Sequence, residues 1–518
     1  MAQSAFPISP KTGISAALLV LALIAIALGA VLSRAEAGAG LGAGDWAAIR
    51  FTVLQALASS IISVFLAIPV ARALARRRFV GRAALVTLLG APFILPVIVA
   101  VLGLLTVFGR SGWANALLDF FGLPSVSIYG FHGVVLAHVF FNLPLATRLL
   151  LQGWQNIPAE RFRLVAQLRL TPRAMFSAVE MPMLKQIVPG ALALVFAICL
   201  TSFAVALTLG GGPKATTIEL AIYQAFRFDF DLGRAALLSV LQLILAGSMA
   251  VLALRLVPAI AVDGGLDRVM PRWDARAGLQ RVADAVVIAL AALFLLVPLT
   301  AVVLRGVMGL PSMPSSVYQA AWVSIGVAGM SILLLLVLAL PMAGWVAGRK
   351  KGGVEAVGLL GLSASPLMIG TGWFIVINPY ADPFDFALPV TVLVNAMMAL
   401  PFALRILVPP LRDTVQQYGR LSAMLGVTGW RLWRVLLIPR LRAQIGFAAG
   451  LTGALSMGDL GVIALFADPD RVTLPLQMVR LMGAYRMDAA AGAALVLLAL
   501  SLGVFWICDK GGRWGAEA

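Results

Sequence analysis

Cysteine and histidine are almost missing from this chain of 518 residues. It has two cysteines, Cys199 and Cys508, and two histidines, His132 and His138. Both cysteines fall inside apolar runs, which excludes a disulfide framework, and we expect both to be buried packing residues. No acidic side chain stands at ligand spacing from the histidines, so we predict no metal site.

Charged residues are also scarce. They make up 12% of the chain, whereas apolar residues make up 61%, and the mean hydropathy is +0.99. This composition is typical of a protein that crosses a membrane several times, and it excludes an ordinary soluble domain. The formal net charge of +17 comes from arginines in short clusters between apolar runs. Because nucleic-acid binding favours a continuous basic stripe, we predict no nucleic-acid partner.

Motifs for catalysis are absent from the sequence. It contains no GxxxxGK[ST] phosphate loop, and the glycine run at 210–213 lacks the Lys-Ser/Thr pair that such a loop requires. No HExxH or GxSxG motif is present either. We therefore expect a protein that is not an enzyme, needs no cofactor and has no ATPase site of its own.

What the chain does have is a series of long apolar runs. Each is near the ~20 residues that a helix needs to cross the hydrocarbon layer of a membrane. We predict an all-α polytopic membrane protein of about twelve transmembrane helices, six in each half of the chain. The predicted spans are 14–33, 51–72, 84–108, 128–150, 187–209, 234–256, 285–304, 321–347, 355–377, 388–408, 445–466 and 489–508.

The two halves of the chain repeat one another. Pro401 follows Pro144 at the same spacing as Pro439 follows Pro182, and we call this spacing the repeat offset. An offset that holds without a gap over this stretch indicates an internal duplication. Because six spans precede the second half, both halves enter the membrane in the same direction, and the repeat is parallel.

The distribution of basic residues gives the orientation. Lys and Arg collect between spans on one side, which the positive-inside rule assigns to the cytoplasm, so both termini are expected there. The expected organisation is an N-terminal helix and outer loop at 1–50, a first transmembrane domain at 51–256, a cytoplasmic linker at 257–284, a further helix and outer loop at 285–316, a second transmembrane domain at 317–508 and a cytoplasmic tail at 509–518.

A polar, basic segment lies between the fourth and fifth spans of each half. Apolar residues recur at helical spacing on both sides of a break, which falls at 170–172 in the first copy and at 426–429 in the second. Two short helices that are too polar to cross lipid predict a docking element for a cytoplasmic partner. The alternative is a basic segment lying on anionic lipid headgroups, but a lipid surface does not demand matched spacing.

The segment resembles the coupling loop of binding-protein-dependent ABC importer permeases, whose pattern is Glu-Ala-Ala, three residues, Gly and a later Pro. The second copy keeps Gly426 and Pro439 but has Arg420 at the acidic position, and the first copy has Arg169 at the glycine position. The resemblance implies that two cytoplasmic ATPase subunits each receive one loop. It assigns this coupling to Phe162, Leu164, Val165, Ala166, Arg169, Phe176 and Pro182 in the first loop, and to Leu421, Ser422, Ala423, Gly426, Trp433 and Pro439 in the second.

Longer stretches resemble one family more closely. LGGGPKATTIELAIYQ at 209–224 and LSMGDLGVIALFADPDRVTLP at 455–475 resemble the thiamine or thiamine pyrophosphate ABC importer permeases of bacterial inner membranes. The resemblance implies import of thiamine that a periplasmic binding protein delivers. Iron(III) importer permeases share the fused layout and the Gly-acid-x-Gly element at 458–461, and they remain an alternative. A secondary transporter is a further alternative, but it would be expected to carry several ionisable groups within its spans.

Four polar side chains within the spans are candidates for the substrate path. Asp459 lies in an apolar helix, where an acid is usually functional or paired, and Ser202 is its counterpart in the first half. A carboxylate there would attract a cation such as thiamine, or bond across helices. Asn142 and Asn395 complete the set, and both are also expected to form hydrogen bonds between helices.

Overall fold

The computed structural model describes residues 10–35, 41–90, 94–212, 215–256, 278–347, 365–466 and 471–514. These residues form helices and the turns between them, and none of them is in a strand. The helices of the first half are α1 Pro10–Arg34, α2 Ala43–Arg76, α3 Arg82–Leu88, α4 Val97–Phe108, α5 Trp113–Phe120, α6 Phe131–Gln155, α7 Ala159–Gln167, α8 Pro172–Met175, α9 Met181–Leu200, α10 Ala204–Leu209, α11 Ile218–Arg227 and α12 Leu232–Leu256. Those of the second half are α13 Gly278–Gly309, α14 Ser315–Ala347, α15 Pro366–Ile377, α16 Ala387–Met424, α17 Gly429–Leu432, α18 Ile438–Met457, α19 Gly461–Leu465, α20 Leu474–Gly483 and α21 Met487–Arg513.

Eleven helical segments among the described residues are long and apolar enough to cross a membrane. A twelfth, α15, is equally apolar but has only 12 residues. It is the described part of the predicted span 355–377, whose first ten residues lie outside the described ranges. The prediction of an all-α polytopic membrane protein is confirmed.

Several predicted spans differ from the helices in detail. The span predicted at 84–108 is divided between α3 and α4, and the spans predicted at 187–209 and 445–466 break after Leu200 and Met457. Hydropathy misses these breaks because the apolar character continues through them while the backbone changes direction. In the opposite sense, α16 continues to Met424, well past the predicted end at 408. Cys199 is buried as expected, whereas Cys508 is only half-buried.

The order of elements repeats at the predicted offset. Helices α9 and α18 begin and end one repeat offset apart, and each follows a five-residue π-helix, at Phe176–Glu180 in the first half and Trp433–Leu437 in the second. Further upstream the offset increases, since α4 and α15 begin at 97 and 366. The extra residues are α5 and the loop after it, which the short connection 378–386 does not have. The first half therefore carries an insertion between its third and fourth spans.

The first helix of each half packs against the other half. Helix α1 lies along α14 and α15, and α13 lies along α2 and α4. Two equivalent glycines permit these crossings, because a Cβ atom at Gly103 would lie 2.6 Å from the carbonyl oxygen of Pro298 and one at Gly372 would overlap that of Ala27. The two larger apolar cores of the described residues are thereby built from both halves, with α13 in the first core and α1 in the second.

Buried ion pairs fix α13 at one end of this arrangement. Arg76 Nη2 and Arg77 Nε contact the two carboxylate oxygens of Asp284 at 2.5 Å and 2.6 Å, and the Asp284 side chain is buried. The sequence places Asp284 in the expected linker, but α13 begins at Gly278 and includes this residue. The rest of the expected linker, 257–277, lies outside the described residues, as do residues 515–518 of the expected tail.

Candidate functional site

The two predicted docking segments share the turn that ends their first helix, although that helix is the short α7 in the first half and the end of the long α16 in the second. In loop 1, which we define as 156–182, the N–H of Leu170 donates to the carbonyl of Val165 at 3.2 Å and the N–H of Arg169 to that of Ala166 at 3.1 Å. In loop 2, defined as 413–439, the N–H of residue 427 donates to the carbonyl of residue 422 and that of residue 426 to residue 423, at 2.8 Å and 3.2 Å. Each pair of bonds is a Schellman motif that ends a helix. The two pairs are related by the repeat offset.

A Schellman turn needs one residue in the left-handed conformation, for which glycine is preferred. Loop 2 has Gly426 there with φ +66°, and loop 1 has Arg169 with φ +49°. The departure from the glycine pattern in loop 1 therefore leaves the turn intact. The arginine instead accepts backbone strain, which costs about 1–2 kcal/mol for a residue with a Cβ atom.

The predicted side chains divide into an inner and an outer set. Phe162 and Val165 of loop 1 are buried against the rest of the protein, and in loop 2 Ser422 is buried with its hydroxyl donating to the carbonyl of Gly419 at 2.9 Å. Phe176 and Trp433, at the start of the two π-helices, are half-buried. The exposed members are Leu164, Ala166, Arg169 and Pro182 of loop 1 and Leu421, Ala423, Gly426 and Pro439 of loop 2.

Sequence reasoning left two exposed leucines out of the site. Leu168 is 61% exposed and its equivalent Leu425 is 69% exposed, each one helical turn after an exposed leucine, Leu164 or Leu421. The signal was present in the sequence, because the two pairs of leucines are related by the repeat offset. Each loop thus presents two exposed apolar side chains on one helix face within the described part of the chain.

The two loops are held to the body in different ways. In the first half, Glu180 is fully buried and accepts from Arg72 Nε at 2.7 Å and from Trp154 Nε1 at 3.0 Å. The Arg72 guanidinium also stacks over the ring of Phe176. In the second half, Leu437 takes the place of Glu180. No sequence pattern indicates this ion pair, since its partners lie 108 residues apart.

Asp459 and Ser202 lie at equivalent helix breaks. Asp459 stands between α18 and α19 and its Oδ1 accepts from the N–H of Gly461 at 3.2 Å, while its buried Oδ2 has no hydrogen-bond partner among the described residues. Ser202 stands between α9 and α10. The break at Asp459 touches the other half, because a Cβ atom on Gly458 would lie 3.1 Å from Cα of Pro96. An acidic group thus lies at the junction of the two halves.

The two asparagines form hydrogen bonds between helices. Asn142 on α6 donates to Cys199 Sγ on α9 at 3.3 Å, and Asn395 on α16 donates to Ser456 Oγ on α18 at 2.9 Å. Cys199 and Ser456 are equivalent positions in the repeat. The structure therefore places both asparagines as links between neighbouring spans, and it does not bring them next to Asp459 through any described hydrogen bond.

Glu219 is a further acid that connects the two halves, and sequence reasoning missed it. Glu219, at the start of α11, is fully buried, and its two carboxylate oxygens accept from Gln242 Nε2 at 3.1 Å and from Ser365 Oγ of the second half at 2.9 Å. Helix α11 has 10 residues and is not one of the segments long enough to cross a membrane. Burial raises the pKa of the Glu219 carboxyl to about 7, against the opposing effect of the two hydrogen bonds.

Among the described residues, no cluster of His, Cys, Asp and Glu could hold a metal ion.

Comparison with known proteins decides the family. No protein-family profile matches the chain. The thiamine transport system permease protein of Escherichia coli is 41% identical over 476 residues, which cover 90% of this chain and 89% of that protein. The protein of the same name from Brucella abortus is 39% identical over 507 residues, 96% of this chain and 93% of the relative. The chain belongs to the thiamine transport system permease family.

A more distant relative matches less than half of the chain. A probable sulfate transport system permease protein of Helicosporidium is 26% identical over 218 residues, which make up 42% of this chain but 80% of the relative. Most of the relative thus corresponds to less than half of the permease. This is the result expected when one protein carries two copies of a unit that the other carries once.

Proposed function

We propose that this chain is the membrane-spanning subunit of an ATP-driven importer that takes up thiamine, or its phosphates, across the bacterial inner membrane. Membership of the thiamine transport system permease family supports the substrate. The duplicated Schellman turn of loops 1 and 2 is the observation that carries the mechanism, since it provides two equivalent docking elements on a single chain. The iron(III) alternative draws no support from these relatives, and the chain itself is a transport subunit.

Loops 1 and 2 are the proposed docking sites for two cytoplasmic ATPase subunits, one on each loop. The exposed leucines at 164 and 168, and at 421 and 425, would be covered by the ATPases, while the buried Phe162, Val165 and Ser422 hold each loop on the body. All thirteen residues assigned to coupling from the sequence belong to these two loops.

Each loop is connected to the junction of the two halves by a continuous helical segment. From loop 1 the chain is helical from Pro172 to Leu200 and then reaches the break at Ser202, and from loop 2 it is helical from Gly429 to Met457 before the break at Asp459. A displacement of the loop by an ATPase is transmitted along such a rigid element. ATP-driven closure of the ATPases would therefore move the two breaks relative to each other.

The proposed substrate path runs past these breaks. Asp459 supplies a carboxylate with one buried oxygen unpaired among the described residues, which would attract a cationic substrate. Ser202 supplies a neutral polar group at the equivalent position. Asn142 and Asn395 act in this proposal by holding the neighbouring spans together.

The orientation follows from the basic residues of the loops. With both termini in the cytoplasm, loops 1 and 2 face the ATPases, and the opposite face receives the periplasmic thiamine-binding protein. The helices contact the lipid bilayer through their exposed apolar side chains. The connection between α12 and α13, which is the part of the expected linker that precedes Gly278, would join the two halves on the cytoplasmic side.

Uptake of labelled thiamine at nanomolar concentration tests the proposal. Cells that lack the protein are compared with the same cells carrying a plasmid copy, and with cells whose partner ATPase is inactive. We expect the copy to restore uptake and the inactive ATPase to abolish it. Uptake that is independent of the copy would exclude the thiamine assignment, and a failure of iron(III) acquisition in its place would restore the alternative substrate.

A further inference from the structure

A cavity of about 470 Å³ opens between the two halves of the permease. Its wall from the first half is the end of α11 and the turn that follows, with Phe226, Arg227 and Phe230. Its wall from the second half is the end of α15 and the connection to α16, with Phe374 and Phe384 among its residues. The volume lies within the range of about 300–1,000 Å³ that is usual for small-molecule sites.

The cavity lies on the side of the membrane opposite to the coupling loops. Helix α16 begins at Ala387, directly after the cavity wall, and its other end forms part of loop 2. Its 38 residues span roughly 55 Å at 1.5 Å per residue, which is more than the thickness of a bilayer. With loop 2 on the cytoplasmic side, the cavity faces the side from which substrate is delivered.

Aromatic rings form much of the cavity wall. The rings of Phe226 and Phe374 meet edge to face across the two halves with centroids 4.5 Å apart, and Phe384 continues the cluster at 6.1 Å from Phe374. The side chain of Phe230 is 72% exposed. Its backbone has φ +51°, a conformation that bulky residues rarely adopt. The surrounding fold maintains this conformation, which places an apolar ring at the surface of the cavity.

The polar groups of the wall complete its chemistry. The exposed carboxylate of Asp382 accepts from the N–H of Phe384 at 3.0 Å through Oδ1, which fixes it at the edge of the aromatic cluster. Asn378 adds a neutral amide and Arg227 a positive charge. Aromatic faces next to a carboxylate attract a ring that carries a positive charge. Arg227 matches the anionic group that a phosphate ester of such a compound would add.

We propose that this cavity is a binding site for an aromatic cation, which thiamine is, on the delivery side of the permease. The site rests on the proposed function for the identity of its ligand. It is formed by both halves, so the cation bridges them before they separate, and it lies ahead of Asp459 on the path. Asp382 supplies the charge that selects a cation, and Phe226, Phe230, Phe374 and Phe384 supply the apolar walls.

Transport by paired variants tests the charge and the ring. Asp382→Asn keeps the oxygen that accepts from Phe384 and removes only the charge, and its control is Asp385→Asn, an exposed acid outside the cavity. Phe230→Leu keeps apolar bulk and removes the ring, and its control is Phe228→Leu, which is similarly exposed but outside the cavity. We expect the two cavity variants to lose roughly three- to tenfold in uptake at low thiamine concentration, a change of about 0.7–1.4 kcal/mol. The two controls should stay within twofold of the parent.

Occupancy is measured by protection of a cysteine at the cavity. Ala381→Cys is introduced into a Cys508→Ala background, in which Cys199 is buried, and the complex with its ATPases is treated with a cationic thiol reagent. Thiamine-loaded binding protein should slow the labelling relative to unloaded binding protein, which accounts for shielding by the binding protein itself. Adding Asp382→Asn should remove this difference, whereas adding Asp385→Asn should leave it.

The outcomes separate the cavity from the function. Normal uptake by the Asp382 and Phe230 variants, together with labelling that does not respond to thiamine, would overturn the cavity proposal and leave the thiamine importer intact. Absence of thiamine uptake by the parent complex would remove the proposed function, and the cavity proposal with it.

Discussion

At the scale of single residues, backbone strain marks equivalent positions of the repeat. Arg169, Phe230 and Tyr485 are the non-glycine residues with positive φ in the part of the chain that the structure describes. Arg169 is equivalent to Gly426, and Phe230 and Tyr485 each stand two residues before the last long helix of their half. A conformation that costs about 1–2 kcal/mol is kept at each place, which indicates that these turns are fixed by the surrounding fold.

Substitution at Gly426 tests the turn of loop 2. Gly426→Val should impair thiamine uptake strongly while insertion into the membrane is unchanged, because a β-branched residue resists the φ of +66°. Gly426→Arg is the matched control and should be milder, since Arg169 adopts the same conformation in loop 1. Uptake and the amount of protein in the membrane are the measurements. Full uptake by the valine variant would contradict the proposed docking role of the turn.

The buried carboxyl of Glu219 gives a prediction on pH. Its pKa is raised to about 7, so the folded state binds this proton more tightly than the unfolded state. The contribution to stability is therefore complete below about pH 4.5 and is lost as pH rises to about 7. Glu219→Gln keeps hydrogen-bonding groups for Ser365 and Gln242 without ionising, and it should flatten the decline in thermal stability between pH 5 and pH 7. A decline as steep as in the parent would assign it to other groups.

At the scale of elements, the crossings of α13 over α4 and of α1 over α15 depend on close backbone approach. Gly103→Ala places a methyl group 2.6 Å from the carbonyl oxygen of Pro298, a distance at which the helices must separate. We expect a loss of about 1–3 kcal/mol, the usual cost of overpacking, seen as a lower unfolding temperature in lipid nanodiscs. Gly326→Ala in α14 is the control, because nothing lies within 4 Å of its Cβ position and alanine favours the helix. Equal unfolding temperatures for the two variants would show that α13 does not need the close approach.

At the scale of the whole molecule, the duplication sets the composition of the complex. One chain carries both loop 1 and loop 2, the proposed docking elements, and its halves share their cores through α1 and α13. A permease with a single repeat must form dimers to offer two loops, whereas this chain need not. We predict one permease for two ATPase subunits in native mass spectrometry of the solubilised complex. Two permease chains for two ATPases would contradict this stoichiometry.

Composition and spacing determine the class of protein and the position of the loops. Apolar runs predict helices in lipid because every backbone polar group must be satisfied within the segment, and this holds whatever the neighbours are. The repeat offset likewise predicts the equivalence of Arg169 and Gly426, which the shared turn reflects. These features depend on local sequence, so they can be derived from it.

The tertiary structure alone decided which groups meet across the chain. Arg72 pairs with Glu180 and Ser365 with Glu219, at separations of 108 and 146 positions, and the cavity beside Asp382 likewise joins the two halves. Hydropathy does not encode such contacts, because it averages over a window and carries no information on helix rotation or neighbours. The crossing of α1 and α13 into the opposite half belongs here too, since it is set by the complementary surfaces of packed helices.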